Sequence, residues 1–527
     1  MKNNKCLKTL LGIVTTVLLI AFLTTLLAKP WVRKKIVTAL NEENSDYLVT
    51  IDKISTSMIT SGIELEGIII RTKKDYVGVI ELKGEIGSIK LLGINLIKAI
   101  FRKDINIRKI VISESNFICK ISSFRESVAP IVLPLNMRIG TVIFNKTNLL
   151  IENSANEASF LFTDGVLKLY DLHSGKQDTL SSDIIKLFDF KAKEIVMVSS
   201  DSLNTFKAGD VSYSASSNAL DVNSFDILPN YTDYDFTSKY DFQTNRIEAG
   251  FSNIHVNDFN MAGFLRSGDL ISSSIEIGEM NMKVFRDKRK EFRHVNMPAF
   301  QDMIYKYSSN IRIDLISLKK GNVSYTVHAE EANEPGNISF NAINAEIFNI
   351  TNDSVYKTKN DSIKLNGNAL LMGKGKMTIL LKARLFDSQN RFSLEGTLSD
   401  MEASELNPIL EKSAFIYATS GKINSMNFSF AADNSKATGR LTVLYHGLDI
   451  AVKNKQTDDT TAFRERFISF IANMKVLDSN PIRDKDVREG IIDFERDPER
   501  FLFHYCYRSI LSGITSSLVK NTGEKNK

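Results

Sequence analysis

The sequence is poor in the residues that most often carry catalysis, metal binding or covalent bracing. Its three cysteines, Cys6, Cys119 and Cys506, form no CxxC pair, which argues against a thioredoxin-type redox pair and a cysteine zinc knuckle. The six histidines are scattered (His173, His255, His294, His328, His446 and His504), and there is no HExxH, so no zinc-hydrolase helix is encoded. No GxSxG elbow and no EF-hand spacing occurs. Gly373-Lys374-Gly375-Lys376-Met377 lacks the upstream glycine and the hydroxyl residue of a phosphate loop and reads as a turn. Charge of one sign is also missing. Lys and Arg total 67 against 62 Asp and Glu, a net charge of +5, too even for a nucleic-acid binder. Nine prolines leave no Pro-rich linker in 527 residues. The expectation is a non-enzymatic chain with no cofactor and no metal.

Long hydrophobic runs are absent except at the start. Leu10 to Ala28 carries no charge, and nineteen residues at 1.5 Å each span about 28 Å, close to a bilayer's hydrocarbon thickness. Leu10, Val14, Leu18, Phe22 and Leu26 fall along this span, with Lys2, Lys5 and Lys8 before it and Lys29, Arg33, Lys34 and Lys35 after it. Leu26-Leu27-Ala28-Lys29 does not fit an A-x-A cleavage site, so an uncleaved signal anchor is favoured over a removed signal peptide. The N-terminus is then expected in the cytoplasm and the bulk outside. Beyond the span, Val32, Ile36 and Leu40 recur at helical spacing between bases. This segment reads either as a helix resting on the bilayer, with Trp31, the only tryptophan, as interfacial anchor, or as the first helix of the following body. With Cys6 before the span, Cys119 and Cys506 either pair with one another or, as favoured, remain isolated buried thiols.

From about residue 47 the ruling pattern is alternation, as in Ile63-Glu64-Leu65-Glu66, Ile105-Asn106-Ile107-Arg108, Leu220-Asp221-Val222-Asn223 and Met426-Asn427-Phe428-Ser429-Phe430. Period two sorts apolar and polar groups onto opposite faces of a strand, and many such runs divided by Asn, Asp, Gly and Ser read as an antiparallel meander of roughly 25 strands. The phase slips between Ile275/Ile277 and Met280/Met282/Val284, and again between Ile311–Leu315 and Ile316/Leu318, so bulges or new strands are expected there. Short helices are expected over 92–102, 183–190 and 405–410, and over 461–475 with Phe463, Phe467, Phe470 and Ile471 on one face. Another is expected from about 501 to 520, and Asn296 to Tyr307 reads as a connector. The fold class is therefore mainly β: a transmembrane helix, then a long curled sheet with few helices. Its apolar face forms either a filled core or an open groove. Met426, Phe428, Phe430, Leu441, Val443 and Tyr445 are candidates for a groove lining. The basic run Val284 to Lys290 could meet lipid headgroups, but reads more simply as a solvated strand end.

Two regions resemble a known family. The first runs from the anchor and basic segment through Ile51-Asp52-Lys53-Ile54, Gly62-Ile63-Glu64-Leu65-Glu66-Gly67-Ile68 and Ile89-Lys90-Leu91-Leu92-Gly93-Ile94 to Ile105–Ile112. The second runs from Gly439-Arg440-Leu441-Thr442-Val443-Leu444-Tyr445-His446-Gly447 through Ser479-Asn480-Pro481 and Phe494-Glu495-Arg496-Asp497 to Phe503–Ile514. Together they resemble AsmA-like (TamB/AsmA-like) bacterial envelope proteins of Bacteroidota type. The resemblance implies 1–29 as tail and anchor, 30–125 as an N-terminal module, 126–420 as an extended sheet body and 421–527 as a C-terminal module. It also implies an inner-membrane anchor with a periplasmic body, and membrane phospholipid as the partner moved along an apolar groove in outer-membrane biogenesis. A membrane-anchored scaffold without lipid transfer is the other function compatible with it.

Overall fold

The computed structural model describes residues 46–57, 62–73, 80–94, 105–121, 137–153, 159–173, 188–355, 361–452, 477–482 and 486–518. The expected anchor (Leu10, Val14, Leu18, Phe22, Leu26), Trp31 and the helix at 461–475 lie outside these residues. Among the described residues no helix is long and apolar enough to cross a membrane.

The fold is mainly β, with nineteen strands in one sheet among the described residues. They are β1 (Tyr47–Ser57), β2 (Gly62–Thr72), β3 (Ile80–Ile94), β4 (Ile105–Ile121), β5 (Met137–Asn153), β6 (Ser159–His173), β7 (Phe188–Val198), β8 (Asn204–Ser214) and β9 (Ala219–Pro229). Then follow β10 (Asn245–Asn257), β11 (Leu270–Asp287), β12 (Ile311–His328), β13 (Gly336–Thr351), β14 (Ser362–Leu371), β15 (Gly375–Arg384), β16 (Phe392–Glu402), β17 (Ile416–Ala432), β18 (Lys436–Val452) and β19 (Gly490–Glu495). No closure into a barrel occurs. Five short helices interrupt the strands among the described residues: α1 (Asp233–Ser238), α2 (Met261–Ser267), α3 (Phe300–Tyr305), α4 (Asn407–Ser413) and α5 (Leu502–Leu518). Helix α4 and the tight turn Ala403–Leu406 cover the stretch expected at 405–410, and α5 the one expected from 501. Of the helices expected over 92–102 and 183–190 only the ends are described, Leu92–Ile94 completing β3 and Phe188–Phe190 opening β7, and the rest lies outside the described residues. The connector at 296–307 contains α3.

The chain divides into two compact units, one up to Asn230 with Ile254–Leu270, the other Tyr231–Asn253 with Ile271 onward. The module boundary expected at 420/421 falls inside β17.

In the first unit, β1 through β4 pair antiparallel in chain order, and so do β5 through β9, but β4 and β5 run parallel. The purely antiparallel expectation is corrected here: the 122–136 connection is long enough for a crossover, which a parallel pair demands. In the second unit, β12 through β19 pair antiparallel in order. Between β11 and β12 the contacts Glu276–Lys319, Glu279–Lys320 and Asn281–Asn322 advance together, as do Lys288 N–H and the His328 carbonyl. Numbers that rise together mark a second parallel step.

Several long strands absorb two alternating runs across a bulge. The slip between Ile277 and Met280 lies within β11, at Gly278, where a Cβ would come within 2.9 Å of Asn253 on β10. Asn253 itself is left-handed, at φ 53°. In β12 the register shifts between Leu318 and Val323. No shift separates Leu315 from Ile316, so both faces are simply apolar there. The first unit repeats the device at Glu114, Lys146, Asp164 and Asp210, with φ of 56°, 52°, 48° and 46°. Asparagines occupy the amides these bulges free: Asn148 Oδ1 accepts from Asp164 N–H at 2.8 Å and Asn322 Oδ1 from Ala342 N–H at 3.3 Å. Because adjacent strands slip together, the apolar phase stays on one face, and each bulge adds local twist.

Helix α5 seals the last strand. Its buried residues Tyr505, Ser509, Gly513 and Ser517 recur every fourth position, so three small residues let it lie close on β18 and β19. Ser516 Oγ accepts from Ile491 N–H at 2.6 Å and donates to the Ile491 carbonyl, while Ser512 Oγ accepts from Asp493 N–H. Side chains thus occupy backbone groups that an edge strand otherwise leaves open. Arg488 fastens the far end of the helix, donating to the carbonyls of Ser517 (3.2 Å) and Ser479 (2.8 Å) and to Tyr445 Oη (3.2 Å).

Candidate functional site

The apolar face is not equally covered along the sheet. In the first unit, register places Cys119, Ile151, Phe160, Met197, Phe206 and Ile227 in one cross-strand row from β4 to β9. Cys119 is fully buried, Phe160, Phe206 and Ile227 are half-buried, and Met197 is 45% exposed. The apolar residues of β2 and β3 (Leu65, Ile70, Ile89 and Leu91) are fully buried. The same face is therefore closed over the early strands and partly open from β6 onward.

The second unit runs the other way. Its middle strands place Ile316, Leu318, Val323 and Tyr325 of β12 opposite Ile347, Ala345, Phe340 and Ile338 of β13, all half-buried. On β11 the matching phase is Met280, Met282 and Val284, also half-buried. Toward the C-terminal end the face closes. Phe428, Phe430, Leu441, Val443 and Tyr445 are buried in one cluster, with Met426 partly buried against it. Tyr505, Cys506, Ile510 and Ile514 of α5 join that cluster. Phe428 pairs directly with Gly396 and its ring fills the space a Cβ would take there, as Phe117 does over Gly84 in the first unit. These six residues line a filled core and not an open groove: the reading from alternation found the right face but could not see that a helix covers it.

Where the open phase of β11 ends, its chemistry changes. Continuing from Met280, Met282 and Val284, the next two positions are Arg286 and Lys288. They are half-buried, which corrects the reading of a solvated strand end. The intervening residues belong to the opposite side. Phe285 meets Tyr234 of α1 edge to face at 5.0 Å, Asp287 pairs with Arg289 at 2.7 Å, and Tyr234 Oη bonds His328 Nδ1 at 2.8 Å.

Among the described residues Arg286 bonds neutral oxygens, Gln243 Oε1 at 3.3 Å and Asn245 Oδ1 at 3.5 Å. Among the described residues no carboxylate reaches ion-pair distance of Arg286 or Lys288. Two further cations act on them. Arg500 lies 3.6 Å over the Phe292 ring, and Arg508 lies 5.6 Å from the Phe494 centroid. Burial, then Arg286, Arg500 and Arg508, holds the Lys288 ammonium below the usual lysine range. Burial also lowers Arg286 and raises Tyr325 and Tyr507, each of which interacts with Arg500. His504 on α5 stacks edge-on to Tyr507 at 5.2 Å, and its Nδ1 is buried without a hydrogen-bond partner. Burial, followed by Arg500 and Arg508, takes His504 down to about 4. Asp497 beside this group pairs with Arg500 at 3.6 Å. Among the described residues Arg286 and Lys288 thus carry positive charge in partly dehydrated, aromatic surroundings with no carboxylate against them, a costly arrangement without a counter-anion.

Cys506 is a free thiol and so is not paired with Cys119; burial pushes it up to about 12. Among the described residues no group of three or more His, Cys, Asp or Glu could hold a metal ion. Neither a protein-family model nor a curated protein matches the chain.

Proposed function

We propose that this is a non-enzymatic, membrane-anchored envelope protein of AsmA-like kind. Its apolar sheet face carries phospholipid chains between the inner membrane and the outer membrane of a bacterial envelope. One observation supports the reading most: within each unit the apolar face changes from filled to half-open, over β6–β9 in the first and over β11–β13 in the second. A structural core alone has no use for Met197 at 45% exposure. An acyl chain moving from bilayer to such a face trades one apolar contact for another at about 0.8 kcal/mol per methylene on each side. Transfer is then close to balanced, and its direction comes from a lipid gradient or a partner. The scaffold reading is favoured by the filled cluster around Phe428, which we assign to closing the end of the sheet.

The test is purification of the full chain in mild detergent with mass spectrometry of bound lipid. Phospholipid is expected with the wild type, and less of it per folded protein in Phe206→Asp and Met282→Asp. Lys319→Ala, on the charged face, is expected to match the wild type. Lipid-free wild-type protein, together with an unaltered envelope in a deletion strain, refutes the proposal and leaves the scaffold.

A further inference from the structure

We propose that Arg286, Lys288 and Arg500, with His504 and Tyr507, form a site for the phosphate group of an anionic amphiphile whose chains lie along the apolar phase ending at Val284 and Tyr325. This rests on the lipid-handling reading and adds to it a headgroup chemistry and a place.

The argument begins with charge. Arg286, Lys288 and Arg500 act on one another across a strand end and a loop, and among the described residues no carboxylate reaches ion-pair distance of Arg286 or Lys288, while Asp497 stands 3.6 Å from Arg500. Such repulsion lowers stability, and a protein retains it where a ligand relieves it. Geometry adds selectivity. Arg286 is held by Gln243 and Asn245, and Arg500 is stacked on Phe292, so two guanidinium planes are oriented before any ligand arrives. Guanidinium groups match phosphate oxygens in pairs. Among the described residues the Lys288 ammonium makes no hydrogen bond, leaving three donors, and buried Nδ1 of His504 is a further polar atom without a partner. The position sets the class of ligand. Arg286 and Lys288 continue the phase of Met280, Met282 and Val284, so the cations and the half-open apolar surface belong to one face. An inorganic anion satisfies only the first; a phosphate carrying acyl chains satisfies both.

The test uses the full chain in detergent with three probes by calorimetry: inorganic phosphate, dihexanoyl phosphatidic acid, and dihexanoyl glycerol, which has the chains without the phosphate. Wild type is expected to bind phosphatidic acid more tightly than either other probe. Arg286→Gln and Lys288→Met are each expected to weaken phosphatidic acid by about 10- to 100-fold, the worth of a charge-assisted contact, and to leave dihexanoyl glycerol unchanged. A merely structural role predicts loss of Tm. A site held against repulsion predicts the reverse for Lys288→Met, whose ligand-free Tm is expected to rise. Equal binding of the two amphiphiles, unaffected by both substitutions, overturns the site and leaves the lipid reading standing. Binding of inorganic phosphate alone overturns the proposal and the lipid reading together.

Discussion

Gly513 lies tight against the sheet, and Gly513→Val tests whether that contact keeps the C-terminal core closed. A Cβ at this position would stand 2.7 Å from Ile492 Cγ1 and 2.9 Å from Leu441 Cβ, against the 3.5–4.0 Å at which carbon atoms prefer to meet. Leu441 cannot give way, because its Cβ is fixed to β18 between two hydrogen-bonded neighbours. The helix must lift instead. Better helix propensity returns about 0.4 kcal/mol, whereas overpacking costs about 3 kcal/mol, leaving a net loss of roughly 2–3 kcal/mol. A global denaturation curve is a poor gauge here, since a chain of two units need not unfold in one step. Cys506 gives a local one. It lies on α5, partly buried against the core cluster, and burial keeps its thiol protonated, so alkylation is slow while the helix is docked and quickens when it lifts. Labelling of the Cys506 peptide, followed by mass spectrometry, is expected to run about 30- to 100-fold faster in Gly513→Val than in wild type. Gly513→Ala is expected to fall between them. Labelling of the valine variant at the wild-type rate would refute the close-packing argument.

Phe428→Ala is expected to cost about 3–5 kcal/mol in urea unfolding of the second unit, because a ring packed over Gly396 leaves a cavity. Lipid bound per folded molecule should not change, which separates core from groove. Arg488→Ala is expected to cost about 1.5–3 kcal/mol by leaving the Ser517 and Ser479 carbonyls without their charged donor; faster amide exchange in the last turn of α5 reads this out. Acid should weaken the same region. His504 has its folded value near 4 against an ordinary 6.5, so between those values the unfolded chain binds more protons. Stability therefore falls as pH drops through that window and is level, for this group, above it. His504→Phe is expected to flatten the slope, measured as Tm against pH.

Much of this fold can be read from alternation. Period two located the strands, and the slip at Gly278 marked a bulge because a left-handed asparagine faces it. The helix from residue 501 followed from spacing. The parallel steps were hidden, since pairing direction depends on where a connection crosses and not on side-chain pattern. Phe428 and its neighbours were misread for a related reason: an apolar strand face looks the same whether a helix or a lipid covers it, and the serines and glycine that bring α5 close are far away in sequence. The cationic site is different. Arg286 and Lys288 stand at the next two positions of the Met280–Met282–Val284 phase, and extending that phase would have placed both on the apolar side.

Within each unit strands pair with the strands next to them in the chain, as hairpins apart from the parallel steps. A sheet built this way behaves like a stack of hairpins, each answerable mainly to its two neighbours. Removing or duplicating one hairpin in the middle, such as β14–β15 with its turn at Gly373, disturbs two interfaces and leaves the serine-sealed terminus untouched. Span is therefore an adjustable property of this architecture, changing by about 9.6 Å per hairpin at the usual strand spacing. Related chains can be expected to differ in reach by whole hairpins while keeping the same terminal helix.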